Sequence, residues 1–434
     1  MQLLGAFLLC FFIFSLLFRV NVASSLGFAS FAVFAFAGLG LTTMATPAFA
    51  ALDSFPLMAI PFFMIAGTIM EYSGISRSLV DWIGSFVGRI RGSTGSITVL
   101  TCMAFGVLTG SAIATISSIG RIMFPELVRK GYRKDYAAAL IASTCFLGIL
   151  IPPSVPGIMY ALSAGVSVSR VWLSTIGPAI LFALLYVIYN RFSYGKHDIM
   201  ETQQKIPFGQ SCRNIGKQTF YSIPALLMPV IIFGGIYGGL CTPTEAGAIC
   251  VVYGFIFFVV KKVLRKNEKT ESFKNIMISS GVSTASVCII NVFANTSSRA
   301  ISQAGISNAL AEYIVAHVSE TWQFLLIVNL VFLFLGCLLD ITSAVLMITP
   351  LLIPSALAYG IDPIHFGGIM LVNLSVGFIT PPFAGGLFMA VKISKVSYFD
   401  ITKRIIPFLF IGLIVIAVTT VVPQMTTYLP GLFR

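Results

Sequence analysis

Long apolar runs cover most of this chain: residues 2–18, 26–50, 54–70, 136–151, 172–190, 220–240, 245–260, 276–294, 322–339 and 405–422. A bilayer core about 30 Å thick takes roughly 20 helical residues, so each run can cross it or fold back inside it. In hydrocarbon every backbone N–H and C=O needs an internal partner, and helices supply one within each run. Hydrophobic residues make up 57% of the 434 and charged residues only 10%, a balance outside that of soluble domains. An all-α polytopic membrane protein is expected.

The first run has no basic segment before it and is followed by Arg19, so it reads as a retained span rather than a signal peptide. "TPAFAAL" (46–52) resembles a cleavage site but lies behind two apolar segments. The net charge of +12 is spread over short loops, where cytoplasmic orientation explains it better than nucleic acid does. The lipid bilayer is therefore expected as a partner, and nucleic acid is not. Cysteines at 10, 102, 145, 212, 241, 250, 288 and 337 sit singly, with no C-x-x-C pair; neither a disulfide framework nor a metal site follows. The histidines at 197, 317 and 365 are equally scattered.

"GILIPPSVPG" (148–157) breaks an apolar run with two adjacent prolines. Proline lacks an N–H, so the carbonyls of Gly148 and Ile149 lose their helical donors. Shifted by 229 residues, "GFITPPFAGG" (377–386) aligns Gly148, Pro152, Pro153 and Gly157 with Gly377, Pro381, Pro382 and Gly386. Pro125/Pro354, Gly131/Gly360, Ala161/Ala390 and Pro178/Pro407 keep that register. Upstream, "GISRSLVDWI" (74–83) resembles "GISNALAEYI" (305–314) at a spacing of 231. Each copy then has an apolar span, an amphipathic segment, an apolar pair with a polar tip, a proline-broken span and a closing span. The tips "TGSAIAT" (109–115) and "LLDITSA" (338–344) suit re-entrant hairpins, in which non-helical backbone is shielded by protein or water. A continuous span with a small-residue packing face is the other reading, and the matched second copy favours the hairpin.

With the hairpins taken as non-crossing, the positive-inside rule orients the chain. Arg77, Arg89, Arg91, "RKGYRK" (129–134), the loop with Arg191, Lys196, Lys205, Arg213 and Lys217, "KKVLRKNEK" (261–269), Lys392, Lys395, Lys403 and Arg404 all fall inside. Arg170, Arg299 and Arg434 fall outside, and Arg121 falls within a hairpin. The second copy starts on the opposite side, so the repeats are inverted, with about ten crossings, two hairpins and both termini outside.

Inverted repeats with discontinuous helices point to a secondary transporter whose site lies where the broken elements meet. The first expected cation cluster joins Thr109, Gly110, Ser111 and Thr115 to the carbonyls of Gly148 and Ile149. The second joins Asp340, Thr342 and Ser343 to Gly377, Phe378 and Thr380. Hydroxyl and carbonyl oxygens suit a hard cation, and a carboxylate adds charge. Asp340 is either a cation ligand, a helix N-cap, or both. Arg121 and Glu126 read as reaching toward the interface. Glu245 and Pro243 of "CTPTEAG" (241–247) read as a turn and helix start, and "GGIYGG" (234–239) as helix packing rather than a nucleotide loop.

"SFPLMAIPFFMIAG" (54–67), "GSAIAT" (110–115), "IPPSVP" (151–156), "GGIYGGLCTPTEAGA" (234–248) and "ITPPFAGGLF" (379–388) together resemble the large membrane subunit of tripartite ATP-independent periplasmic transporters. The resemblance covers nearly the whole chain. It implies an elevator-type member of the ion-transporter superfamily in the bacterial inner membrane. Sodium ions would couple the import of organic acids of sialic acid, dicarboxylate or sugar-acid type. Two partners are implied: a small four-helix membrane subunit and a periplasmic substrate-binding protein. Many members of the family carry an acid where this chain has Thr115, so its first cation site would be built from neutral ligands.

Carried onto this chain, the resemblance makes 75–90 and 305–318 arms between scaffold and transport domain. The scaffold would comprise 1–53, 54–94 with its arm, 172–275, 276–320 with its arm, and 401–434; the transport domain would comprise 95–171 and 321–400. A carboxylate substrate would lie between the tips near Ser143, Thr144, Ser154, Gly157, Asn373 and Gly385, facing helix N-termini. A stand-alone sodium- or proton-coupled carboxylate carrier shares every feature except the binding protein. A channel would need a continuous polar pore. An intramembrane enzyme would need a paired acid, an activated nucleophile or a metal constellation, which the sequence does not offer.

Overall fold

The computed structural model describes residues 22–36, 45–88, 92–193, 208–264 and 272–433. The apolar run at 2–18 lies outside the described residues, as do Arg89, Arg91, Lys196, Lys205 and positions 265–269 of the basic loops.

Every described element is helical. The chain opens with α1 (Val22–Phe36) and α2 (Ala45–Ala50), followed by a 3₁₀ turn at Phe55–Met58. The first series of helices is α3 (Ala59–Tyr72), α4 (Ile75–Val87), α5 (Ser93–Thr109), α6 (Ala112–Arg129), α7 (Lys134–Thr144), α8 (Leu147–Leu150), α9 (Val155–Ala164) and α10 (Val168–Ser193). Two long helices, α11 (Phe208–Tyr237) and α12 (Pro243–Leu264), follow. The second series is α13 (Phe273–Gln303), α14 (Ile306–His317), α15 (Thr321–Leu338), α16 (Ile341–Ala358), α17 (Pro363–Gly377), α18 (Gly385–Ser394) and α19 (Tyr398–Val421), closed by α20 (Gln424–Leu432).

Among the described residues, eight helices are long and apolar enough to cross a membrane, α15 and α16 included. The α7–α8 segment and α9 pass the same test together and bend by 46° at the proline pair. The helix boundaries repeat with the sequence. Ala112 and Ile341, which open α6 and α16, stand 229 apart, as do Arg129 and Ala358, which close them. The starts of α4 and α14, Ile75 and Ile306, keep the 231 spacing. Gly74 and Gly305 precede these two helices in the left-handed region (φ 72° and 67°), where a side chain is costly. Both proline pairs, Pro152–Pro153 and Pro381–Pro382, are cis.

Apolar burial gives little drive between helices in lipid, so close backbone approach has to substitute for it. In the first series, a Cβ on Gly106 of α5 would lie 2.4 Å from the Cα of Gly148. In the second, a Cβ on Gly377 would lie 2.6 Å from the Cα of Gly336 on α15. In each copy the helix before the polar tip is thus seated on the backbone just before the break. The second helices cross over: α6 packs on α18, and α16 on α9. The closing spans cross over too, α10 against α17 and α19 against α7. An aromatic cluster of Phe146, Phe182, Tyr186 and Phe408 joins α7–α8, α10 and α19.

Candidate functional site

Two-residue turns set the hairpin tips. Ser111 is the N-cap of α6, its Oγ accepting the Ala114 N–H at 3.3 Å. Asp340, 229 positions later, is the N-cap of α16, its Oδ2 accepting the N–H groups of Thr342 at 3.1 Å and Ser343 at 3.4 Å. Gly110 adopts φ 57°, and a Cβ there would lie 2.1 Å from the carbonyl oxygen of Pro153. The first tip therefore rests directly on the first break.

The two tips meet at one cavity of about 490 Å³. Its wall includes Thr109, Gly110 and Ser111 from one tip, Asp340 and Thr342 from the other, and Ile149 and Phe378 from the two breaks. Asp340 opens onto this cavity. Thr115 is buried behind its tip, donating to the Ser111 carbonyl at 2.8 Å and crowding Gly148. Ser343 is buried behind the other, and its hydroxyl has no hydrogen-bond partner among the described residues. Gly377 is packed on Gly336, while Thr380 donates to the Val376 carbonyl at 2.8 Å. Among the described residues no three His, Cys, Asp or Glu side chains are placed to share a metal ion. At the tips the donors are hydroxyls with the Asp340 carboxylate, oxygen ligands suited to an alkali cation, whereas at the second break the Gly377 and Phe378 carbonyls accept the Thr380 and Gly386 N–H groups at 2.9 and 3.0 Å.

The expected substrate residues lie elsewhere. Ser143 and Thr144 are fully buried and each donates to the Leu140 carbonyl at 2.9 Å. Ser154 caps α9 through the Gly157 N–H at 3.2 Å, and its carbonyl accepts the Trp172 indole N–H at 3.0 Å. Gly157 sits against the same indole. Gly385 opens α18 against the Phe378 ring. Asn373 faces a different, largely apolar groove and donates to Asn329 Oδ1 at 2.8 Å. Ser143 and Thr144 thus bond back to their own helix, Ser154 caps the helix after the first break, and Asn373 turns to α15.

In their place the cavity wall gains Thr68 and Glu71 from α3, Ser117 and Arg121 from α6, and Ser279, Ser283 and Ser286 from α13. The Glu71 carboxylate accepts the Ser118 hydroxyl, tying α3 to α6. Arg121 faces this cavity rather than only the interface. The serine row was visible as hydroxyls at i, i+4 and i+7 on one helical face; Glu71 was visible as an acid ending an apolar run. Glu245 behaves as read from the sequence, its Oε2 accepting the Thr242 N–H at 2.7 Å at the start of α12.

An all-helical membrane protein with two hairpin tips and two interrupted spans around one polar cavity has the architecture of a secondary transporter. The family model of the "Tripartite ATP-independent periplasmic transporter, DctM component" matches residues 9–425, and the chain belongs to that family. It is 32% identical to the isethionate TRAP transporter permease protein DctMQ of Oleidesulfovibrio alaskensis over 95% of its own length, spanning 64% of that relative's. It is 31% identical to the sialic acid TRAP transporter large permease protein SiaM of Vibrio cholerae, over 91% of this chain and 90% of that one. Among solved structures, the YdaH transporter of Alcanivorax borkumensis shares the fold, with a TM-score of 0.58 at 16% identity over 88% of each chain.

Proposed function

We propose that this large permease imports organic acids, of the sialic acid, dicarboxylate or sugar-acid type, coupled to sodium and fed by a periplasmic substrate-binding protein. The observation that carries the reading is the meeting of two repeat-equivalent tips, capped by Ser111 and Asp340, at a single cavity. Helix N-termini there favour the substrate carboxylate. The Asp340 carboxylate and the hydroxyls at the tips favour sodium. The charge pattern supports inverted copies in a bacterial inner membrane, with the hairpins re-entrant from opposite sides. Alternating access would come from an elevator motion of the hairpins and broken spans against α3, α10–α13 and α19, with α4 and α14 as arms. A small four-helix membrane subunit would complete the scaffold.

The test is uptake of labelled acids into proteoliposomes holding both membrane subunits. Transport should need an inward sodium gradient and the binding protein. Uptake that persists without the binding protein would identify a stand-alone carrier, and uptake indifferent to sodium would remove the coupling.

A further inference from the structure

A second cavity, of about 570 Å³, lies between α6 and α18, helices of opposite repeats. It shares Ser117 and Arg121 with the central cavity. Its other charged residues are Lys392 and Lys395, and no acid lines it. Among the described residues none of these three cations makes an ion pair. Cytoplasmic orientation accounts for lysines at a loop. It does not account for Arg121, which sits on a hairpin helix and touches both cavities.

A second observation concerns Lys395. It ends α18 at φ 58°, alone among the described non-glycine residues in the left-handed region, at a cost of about 1–2 kcal/mol for an L-residue. In the first series Gly165 ends α9 in the same conformation without that cost. Here the chain keeps a long cationic side chain where glycine would relieve the strain, and that side chain faces the cavity.

We infer that Arg121, Lys392 and Lys395 form an anion-binding vestibule through which a carboxylate leaves the central cavity on the cytoplasmic side. The inference rests on the transport reading above for its direction, but not for its charge or its connection to the tips. Lys392 and Lys395, with no acid on the vestibule wall, together with Arg121, which Glu71 opposes only from the central cavity, raise the local concentration of an anion on these low-dielectric walls and guide it along the shared Arg121 edge.

The test reads the electrostatics directly. In Met389→Cys, the introduced thiol stands on the vestibule wall. Its modification by an anionic methanethiosulfonate (ethylsulfonate) and by a cationic one (ethyltrimethylammonium) is followed by peptide mass spectrometry on the folded complex in nanodiscs. The anionic reagent should react faster, and adding Lys392→Gln with Lys395→Gln should lower the rate ratio by about tenfold or more. The double lysine variant should also raise the KM for counterflow from the cytoplasmic side while leaving that for binding-protein-delivered substrate unchanged. A ratio unmoved by the lysine substitutions overturns the vestibule. Protection of the thiol in phosphatidylglycerol but not phosphatidylcholine nanodiscs, with counterflow unchanged, overturns it in favour of a lipid headgroup. Loss of sodium-driven uptake with the rate ratio intact would instead strike the transport reading alone.

Discussion

The tip-to-break contact can be isolated by comparing two glycines of the first repeat. Gly110 and Gly165 are both left-handed, at φ 57° and 69°. Alanine at either pays the same conformational cost, about 1–2 kcal/mol. Their surroundings differ. A Cβ on Gly165 meets nothing within 4 Å, whereas on Gly110 it lands 2.1 Å from the Pro153 carbonyl oxygen. That oxygen is backbone, held in a turn of two prolines, and cannot rotate aside. Forcing a methyl into such a contact typically costs a further 1–3 kcal/mol. Gly110→Ala should therefore destabilise by about 2–5 kcal/mol and Gly165→Ala by only about 1–2. Unfolding of the purified protein in graded dodecyl sulfate and maltoside mixtures measures both. Equal losses would mean that the tip does not rest on the break, and the single-site reading of the cavity would go with it.

Gly106→Ala should also destabilise, against the usual gain for alanine in a helix, because its methyl would sit 2.4 Å from the Gly148 Cα; the same unfolding assay reports the sign. Ser118→Ala removes the donor to Glu71, a charged hydrogen bond worth about 1.5–3 kcal/mol. If α3 is static and α6 mobile, the variant should shift the inward–outward population by roughly tenfold or more, readable as altered reactivity of a thiol introduced at Ser279. Asp135 accepts from Arg133 and from Arg404, each at 2.9 Å, linking the foot of α7 to α19. These arginines are partly exposed, so Asp135→Asn should cost no more than about 1 kcal/mol and leave transport rate nearly unchanged in the proteoliposome assay.

Much of this fold was legible because prolines and glycines act locally. Single prolines such as Pro125, Pro178 and Pro407 stay inside helices, but the adjacent pairs Pro152–Pro153 and Pro381–Pro382 remove two donors in succession, so the breaks and their spacing of 229 could be read without tertiary information. The tips were legible for the same reason: Ser111 and Asp340 are residue types that start helices. The wall of the central cavity was not. Ser143, Thr144 and Ser154 look like free hydroxyls in one dimension, but the structure spends them on carbonyls and caps. Asn373 sits on a helix whose polar face meets α15 rather than the tips. Conversely, Glu71 and Arg121 are separated by 50 positions and approach only because Gly67 lets α3 lie against Leu108 and Thr109. Which residues share a cavity depends on helix crossings, and no local pattern encodes those.

The central claim is that the Asp340 carboxylate binds a cation as well as capping α16. Asparagine caps a helix about as well as aspartate but carries no charge, so Asp340→Asn separates the two roles. The measurement is the stability of wild type and Asp340→Asn in sodium chloride and in potassium chloride at equal ionic strength. In potassium the two should match. Sodium at ten times its dissociation constant should stabilise the wild type by about 1.4 kcal/mol and leave the variant unmoved. A full sodium increment in Asp340→Asn would reduce Asp340 to a cap and contradict the account.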